Sequence, residues 1–196
     1  MPIKINVPER TCTKKYLNYR SYKDYLREDF YNCCGYCDDN DMWSGGKRAY
    51  HIDHFAPKSL FSELENEYSN LIYSCPFCNG AKSNDWVTNS YDKPVDFEKR
   101  IGYIDPCDEN YVKQFKRESD GSITPKSDVG KYMWEKLNLF LRRHKAIYLM
   151  NEAFFMKREL RDRVPKLSTK TEQIELLELI CELDQKFDEY FTYISK

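Results

Sequence analysis

The sequence contains no run of about 18 or more apolar residues, the length that a membrane-spanning helix needs. Its start, Met1-Pro-Ile-Lys-Ile-Asn6, lacks the apolar core of a secretory signal, so a cytoplasmic, reducing setting with no membrane partner is expected. No charge of one sign dominates either: 31 Lys and Arg stand against 32 Asp and Glu, a formal net charge of -1, and no global basic field announces nucleic acid. Internal repeats and low-complexity segments are also missing. Histidines number only three, which leaves His51, His54 and His144 as the imidazoles on which chemistry can rest. His144, with no acidic or cysteine neighbours, reads as surface or core.

What the chain does have is unevenly placed. Residues 131–163 carry nine Lys or Arg against four acids, a local +5, and residues 164–196 carry four against seven, a local -3. The basic run offers a face for a nucleic-acid backbone, and its plainer reading is a solvated helix surface. Eight cysteines occur, and four fall in the pattern Cys34-x2-Cys37 and Cys75-x2-Cys78. In a reducing setting such pairs are metal ligands rather than disulfides, and two of them together form a tetrahedral four-thiolate Zn²⁺ site. Gly35 is expected to permit the tight turn of the first knuckle. Cys12, Cys33, Cys107 and Cys181 lie outside the pattern and are assigned no role.

The chain reads as α+β. Ser21-x-x-Asp24 has the form of a capping box for a helix at about 21–31, and Asp38 to Lys47 reads as a solvated loop. Ala49 to Phe55 is a strand by composition, with His51 and Asp53 on one face and His54 on the other unless a bulge turns Asp53 and His54 together. Leu71 to Tyr73 is a second strand, and Cys75 to Lys82 enters a helix. Tyr111 to Lys116 and Ser122 to Thr124 flank Asp120-Gly121 as a hairpin. Helix is expected over 128–163, capped by Ser127 and interrupted near Asn138, until Pro165. A last helix follows Thr169-x-x-Glu172, with an apolar seam of Leu176, Ile180, Leu183, Phe187, Tyr190 and Ile194. The expected organisation is a lead-in and helix at 1–32, a zinc-braced core at 33–100, and a hairpin followed by a helical region at 101–196.

Between the cysteine pairs lie the residue types that phosphodiester hydrolysis needs. His54 is the natural general base, because neutral imidazole accepts a proton near physiological pH. Asp53 and Asn79 offer hard oxygen donors suited to a catalytic Mg²⁺ or Mn²⁺. Lys82, one helical turn past Asn79, is placed to reach a phosphate, and Asn70 to fix the His54 loop through its amide. His51 is a further ligand, a supporting partner of the cation site, or structural.

Asp53-His54, Asn70 and Cys78-Asn79-x-x-Lys82 resemble the HNH (His-Asn-His) endonuclease motif, in the version with Asn in place of the final His. The resemblance covers about residues 33–84. It implies a zinc-braced ββα-metal core with a helical C-terminal extension, His54 activating water, Asp53 and Asn79 holding one divalent cation, Asn70 fixing the loop, and DNA cleavage leaving 5′-phosphate ends. More loosely, I-D-H-F-x-P-K-S at 52–59, I-D-P-C at 104–107 and D-G-S-I-T-P at 120–125 resemble HNH proteins of Septu and retron-type anti-phage defence. That resemblance implies an ABC/SMC-like ATPase partner docked on the helices after 127. Two alternatives stand beside this reading: a non-catalytic zinc-ribbon module that binds nucleic acid or protein, and an HNH nuclease acting on RNA or tRNA.

Overall fold

Tyrosine supplies much of what the chain buries, and each buried phenol needs a partner for its hydroxyl. The computed structural model describes residues 1–4 and 6–194. Tyr50 donates to the Asp39 carbonyl at 2.7 Å, Tyr73 to the Asp41 carboxylate at 2.7 Å, and Tyr111 to the Tyr36 carbonyl at 2.7 Å. These residues belong to the first of two compact units, Met1–Leu141; the second is Arg142–Lys196.

In the first unit a 3₁₀ turn, Tyr19–Tyr22, leads into α1, Lys23–Asp29. The capping residue is Asn18, whose side chain accepts from the Arg20 N–H at 3.0 Å, and not Ser21: the chain enters its helical path one turn earlier than the Ser21-x-x-Asp24 pattern suggests. Tyr22, Leu26 and Phe30, spaced by four, turn inward.

The segment after the first knuckle is not the solvated loop its acids suggest. Asp39 and Asp41 are buried, and Asp41 accepts from Arg27 at 2.6 and 3.1 Å as well as from Tyr73. Two partners far away in sequence make that burial affordable. A short α2, Gly46–Ala49, starts behind Gly45 at φ +83°, so the following strand β1 is confined to His51–His54 instead of beginning at Ala49. β1 pairs antiparallel with β2, Leu71–Ser74, in the register His51 to Ser74 and His54 to Leu71. Pro76 then opens α3, Pro76–Lys82, and strand, strand and helix follow in the expected order.

The remainder of the unit encloses this motif. β3 (Val95–Asp96) pairs with β4 (Ile101–Gly102), and β5 (Phe115–Arg117) with β6 (Ile123–Pro125). The hairpin is shorter than its composition suggests, because Asp108 accepts from the Asn110 N–H at 2.7 Å and starts α4, Glu109–Lys113, which takes Tyr111 into a helix. Ser127 caps α5, Asp128–Lys136, and Asn138 at φ +54° follows that helix, a left-handed conformation that Asn tolerates well.

The second unit is a helical hairpin of α6, Arg142–Arg163, and α7, Lys170–Ile194. Thr169 and Glu172 form the reciprocal capping box, each accepting from the other's N–H at 3.2 Å. Ile180 is buried, and Leu176, Leu183, Phe187, Tyr190 and Ile194 are half-buried, so the apolar seam of α7 is its covered side. The basic and acidic stretches meet where Lys157 and Arg161 of α6 both pair with Asp184 of α7. Among the described residues no helix is long and apolar enough to cross a membrane.

Gly35 earns its place by proximity and not by φ, which is not positive there. A β-carbon at this position would lie 2.7 Å from both Ile72 Cγ2 and Phe30 Cε1. Gly35→Ala is therefore expected to destabilise the first unit by about 1–3 kcal/mol through overpacking, read from urea unfolding midpoints. An unchanged midpoint would show that the packing there yields.

Candidate functional site

The four cysteines of the paired pattern converge. Cys34 and Cys37 come from the turn after α1, Cys75 caps α3 and Cys78 lies in its first turn; all four are buried and their sulfurs lie within 4.8 Å of one another. Cys37 Sγ and Cys75 Sγ are 3.8 Å apart. With Zn–S bonds of about 2.3 Å, a tetrahedron has sulfur–sulfur edges of about 3.8 Å, so donor type, number and spacing all fit zinc. Burial opposes ionisation of the Cys34 thiol, but hydrogen bonds from Cys37, Cys75 and Cys78 outweigh it and hold Cys34 well below the ordinary thiol value.

Three buried side chains from outside this pattern grip the first knuckle. The carbonyls of Gly35, Tyr36 and Cys37 accept, in order, from Lys4 Nζ at 2.5 Å, Tyr111 Oη at 2.7 Å and Arg117 Nη2 at 2.8 Å. A zinc ion with four thiolates carries a net charge of -2, and Lys4 and Arg117 bring two buried cations to its neighbourhood.

Beside the knuckles the ββα motif opens into a pocket of about 380 Å³ lined by His51, Asp53, His54 and Asn79, together with Tyr19 and Lys58. His54 ends β1, so Asp53 and His54 reach one pocket despite strand alternation. The His54 Nε2 lies 2.9 Å from the Glu65 carbonyl oxygen. A carbonyl can only accept, so Nε2 carries the proton and Nδ1 of the neutral ring keeps its lone pair. Burial lowers the His54 pKa and so favours that neutral ring, against an opposing pull from the hydrogen bond to the Glu65 carbonyl.

Asp53 is buried and binds inward through one oxygen: Oδ2 accepts from Tyr36 Oη at 2.5 Å and lies 3.2 Å from Lys82 Nζ. Burial raises its pKa, and Lys82 and Tyr36 pull it back. The Asn70 amide clasps the loop after His54, accepting from the Ala56 N–H at 2.8 Å and donating to the Ala56 carbonyl at 3.0 Å. Lys82 is not where a phosphate contact would need it. Its ammonium is fully buried and donates to the His54 carbonyl at 2.8 Å besides pairing with Asp53, because its helical position faces the sheet and not the pocket.

Residues 34–85 match the HNH endonuclease family model. The match spans a little over a quarter of the chain, from the first zinc-type cysteine to just past α3. No curated protein and no solved structure matches the chain. The HNH segment thus contains both knuckles, both strands and the pocket floor, whereas Lys4, Tyr19, Tyr111 and Arg117 come from outside it.

Two residues of the site, Tyr36 and Tyr19, are not marked by the motif pattern. Tyr36 sits inside Cys34-x2-Cys37, a position whose side chain any knuckle must point somewhere, and that was a usable signal. Tyr19 packs edge-on against the His54 ring with centroids 4.7 Å apart, and nothing in its sequence context marks it. The inward placement of Lys82 yields a prediction: Lys82→Met leaves Asp53 buried without its cation and should cost about 3–5 kcal/mol in urea unfolding, whereas loss of a solvent-facing phosphate contact would leave stability unchanged.

Proposed function

We propose that the chain is a metal-dependent nuclease of the HNH type that hydrolyses phosphodiester bonds in DNA. The observation that carries this reading is the His54 ring, held by Glu65 so that Nδ1 is its free acceptor, in one pocket with Asp53 and Asn79. His54 takes the proton of the attacking water at Nδ1, and the hydrogen bond from Nε2–H to the carbonyl supports the imidazolium that forms. Asp53 and Asn79 would hold the cation: Tyr36 and Lys82 both engage Oδ2, which leaves Oδ1 as a carboxylate donor in the pocket that Asn79 also lines, and these hard oxygen donors fit Mg²⁺ or Mn²⁺. When bound, such a cation neutralises charge developing on the phosphate and the leaving oxygen. Asn70 keeps the Ala56 backbone, and with it the His54 loop, in place. Lys82 and Tyr36 are positioning residues for Asp53. Work beside an ATPase in anti-phage defence extends this reading and rests on the resemblance at 52–59, 104–107 and 120–125.

The test is cleavage of plasmid DNA and of RNA by the wild-type protein and His54→Ala, with Mg²⁺, with Mn²⁺ or with no divalent cation added. The expected result is cleavage that needs the cation and falls by about 10²–10⁴-fold in the variant. Equal rates in the two proteins would remove His54 from the mechanism, and faster cleavage of RNA would move the substrate. Since burial lowers the His54 pKa, the base stays free to lower pH, and the acid limb of the rate profile should fall below the ordinary histidine value of about 6.5. A limb above that value would mean that another group titrates.

A further inference from the structure

The His54 pocket does not end at His54. Tyr19 and Lys58 also line a neighbouring pocket of about 320 Å³, whose other walls include Leu17, Arg20 and Glu65. Tyr19 and Lys58 are common to both, so the two pockets adjoin as a groove larger than a single phosphate requires.

The walls of this groove present chemistry that the mechanism has not used. Lys58 Nζ lies 4.7 Å from the centroid of the Tyr19 ring, and the same ring meets His54 edge-on at 4.7 Å, so one tyrosine separates an outward-facing cation from the proposed base. Lys58 also pairs with Glu65 at 2.6 Å, but both side chains are about two-fifths exposed, and an ion pair open to water holds its partners weakly and can be exchanged for another anion. Arg20 is exposed, with its guanidinium 5.9 Å from the Tyr19 ring. At the lip stands Leu17, 99% exposed: an apolar side chain left in water beside an otherwise polar groove. Two exposed cations about one tyrosine ring, with an exposed apolar side chain on the same wall, offer both phosphate contacts and a surface for a base.

We propose that this groove is the substrate track, in which Lys58 and Arg20 contact backbone phosphates flanking the one that is cut and Leu17 lies against a base. Lys58 then supplies the outward phosphate contact that the buried Lys82 cannot make. This rests on the nuclease reading above.

Binding without added Mg²⁺ or Mn²⁺ tests it apart from turnover. Labelled single-stranded DNA, duplex DNA and RNA oligonucleotides would be titrated by fluorescence anisotropy against full-length protein carrying His54→Ala, over a salt series. Adding Lys58→Gln should weaken binding and reduce the slope of log affinity against log salt by about 0.7–0.9, the share of one phosphate contact, and Lys58→Arg should restore it. Glu65→Gln should tighten binding by removing the competing carboxylate. Leu17→Ser should weaken binding and leave the slope unchanged. The tightest-bound oligonucleotide identifies the strand type. Unchanged slope and affinity in both Lys58→Gln and Arg20→Gln would overturn the track. If wild-type protein still cleaves in that case, the nuclease reading survives it; altered binding without any cleavage would instead retain the track and sink the catalytic assignment.

Discussion

Four sulfurs at one point are the constraint on which the first unit depends. The clamp ties the turn after α1 to the start of α3 across 37 intervening residues, and it encloses β1 and β2 between its two halves. Structural zinc contributes about 10–16 kcal/mol in peptides that fold around it. That is as large as the whole stability of an ordinary domain, about 5–15 kcal/mol, so zinc bound on this scale would decide whether the ββα arrangement persists.

Tyr36 connects the clamp to the pocket. Tyr36 lies between Cys34 and Cys37; its carbonyl is taken by Tyr111, and its hydroxyl donates to Asp53. Asp53 is in turn paired with Lys82, which holds the carbonyl of His54. A chain of buried hydrogen bonds therefore runs from the zinc knuckle to the backbone of the proposed base. Low local dielectric strengthens such a chain and makes a missing member expensive. For the same reason segments outside the HNH match are part of the structure: Lys4, Tyr111 and Arg117 satisfy three consecutive knuckle carbonyls that would otherwise be buried without donors.

Much of this was legible in the chain because its signals are local. Cysteine spacing locates the clamp, and cap chemistry at Ser127 and at Thr169 with Glu172 starts the helices where side chains satisfy free N–H groups. Asp53, His54 and Asn79 fall between or beside the cysteines, and they come to one pocket because the clamp leaves them little else to do. The boundaries missed at Asn18, Gly45 and Asp108 are local caps and turns, but the misplaced side chains share one cause, namely partners distant in sequence. Asp41 looked solvated because nothing nearby marks Arg27 and Tyr73 as its partners. Lys82 looked like a phosphate contact because helical spacing gives its face but not what covers that face. Tyr19 reaches His54 from 35 residues upstream, a contact no periodicity encodes.

The most direct test of this account is to measure metal content and near-ultraviolet circular dichroism of the full chain before and after treatment with a strong zinc chelator. About one zinc per chain is expected, with the tyrosine signal of the packed core and the cooperative unfolding of the first unit both lost on chelation and recovered when zinc is restored. A metal-free protein that keeps its native spectrum and unfolds at the same midpoint would contradict it, since the clamp would then be an accessory to a fold that stands without it.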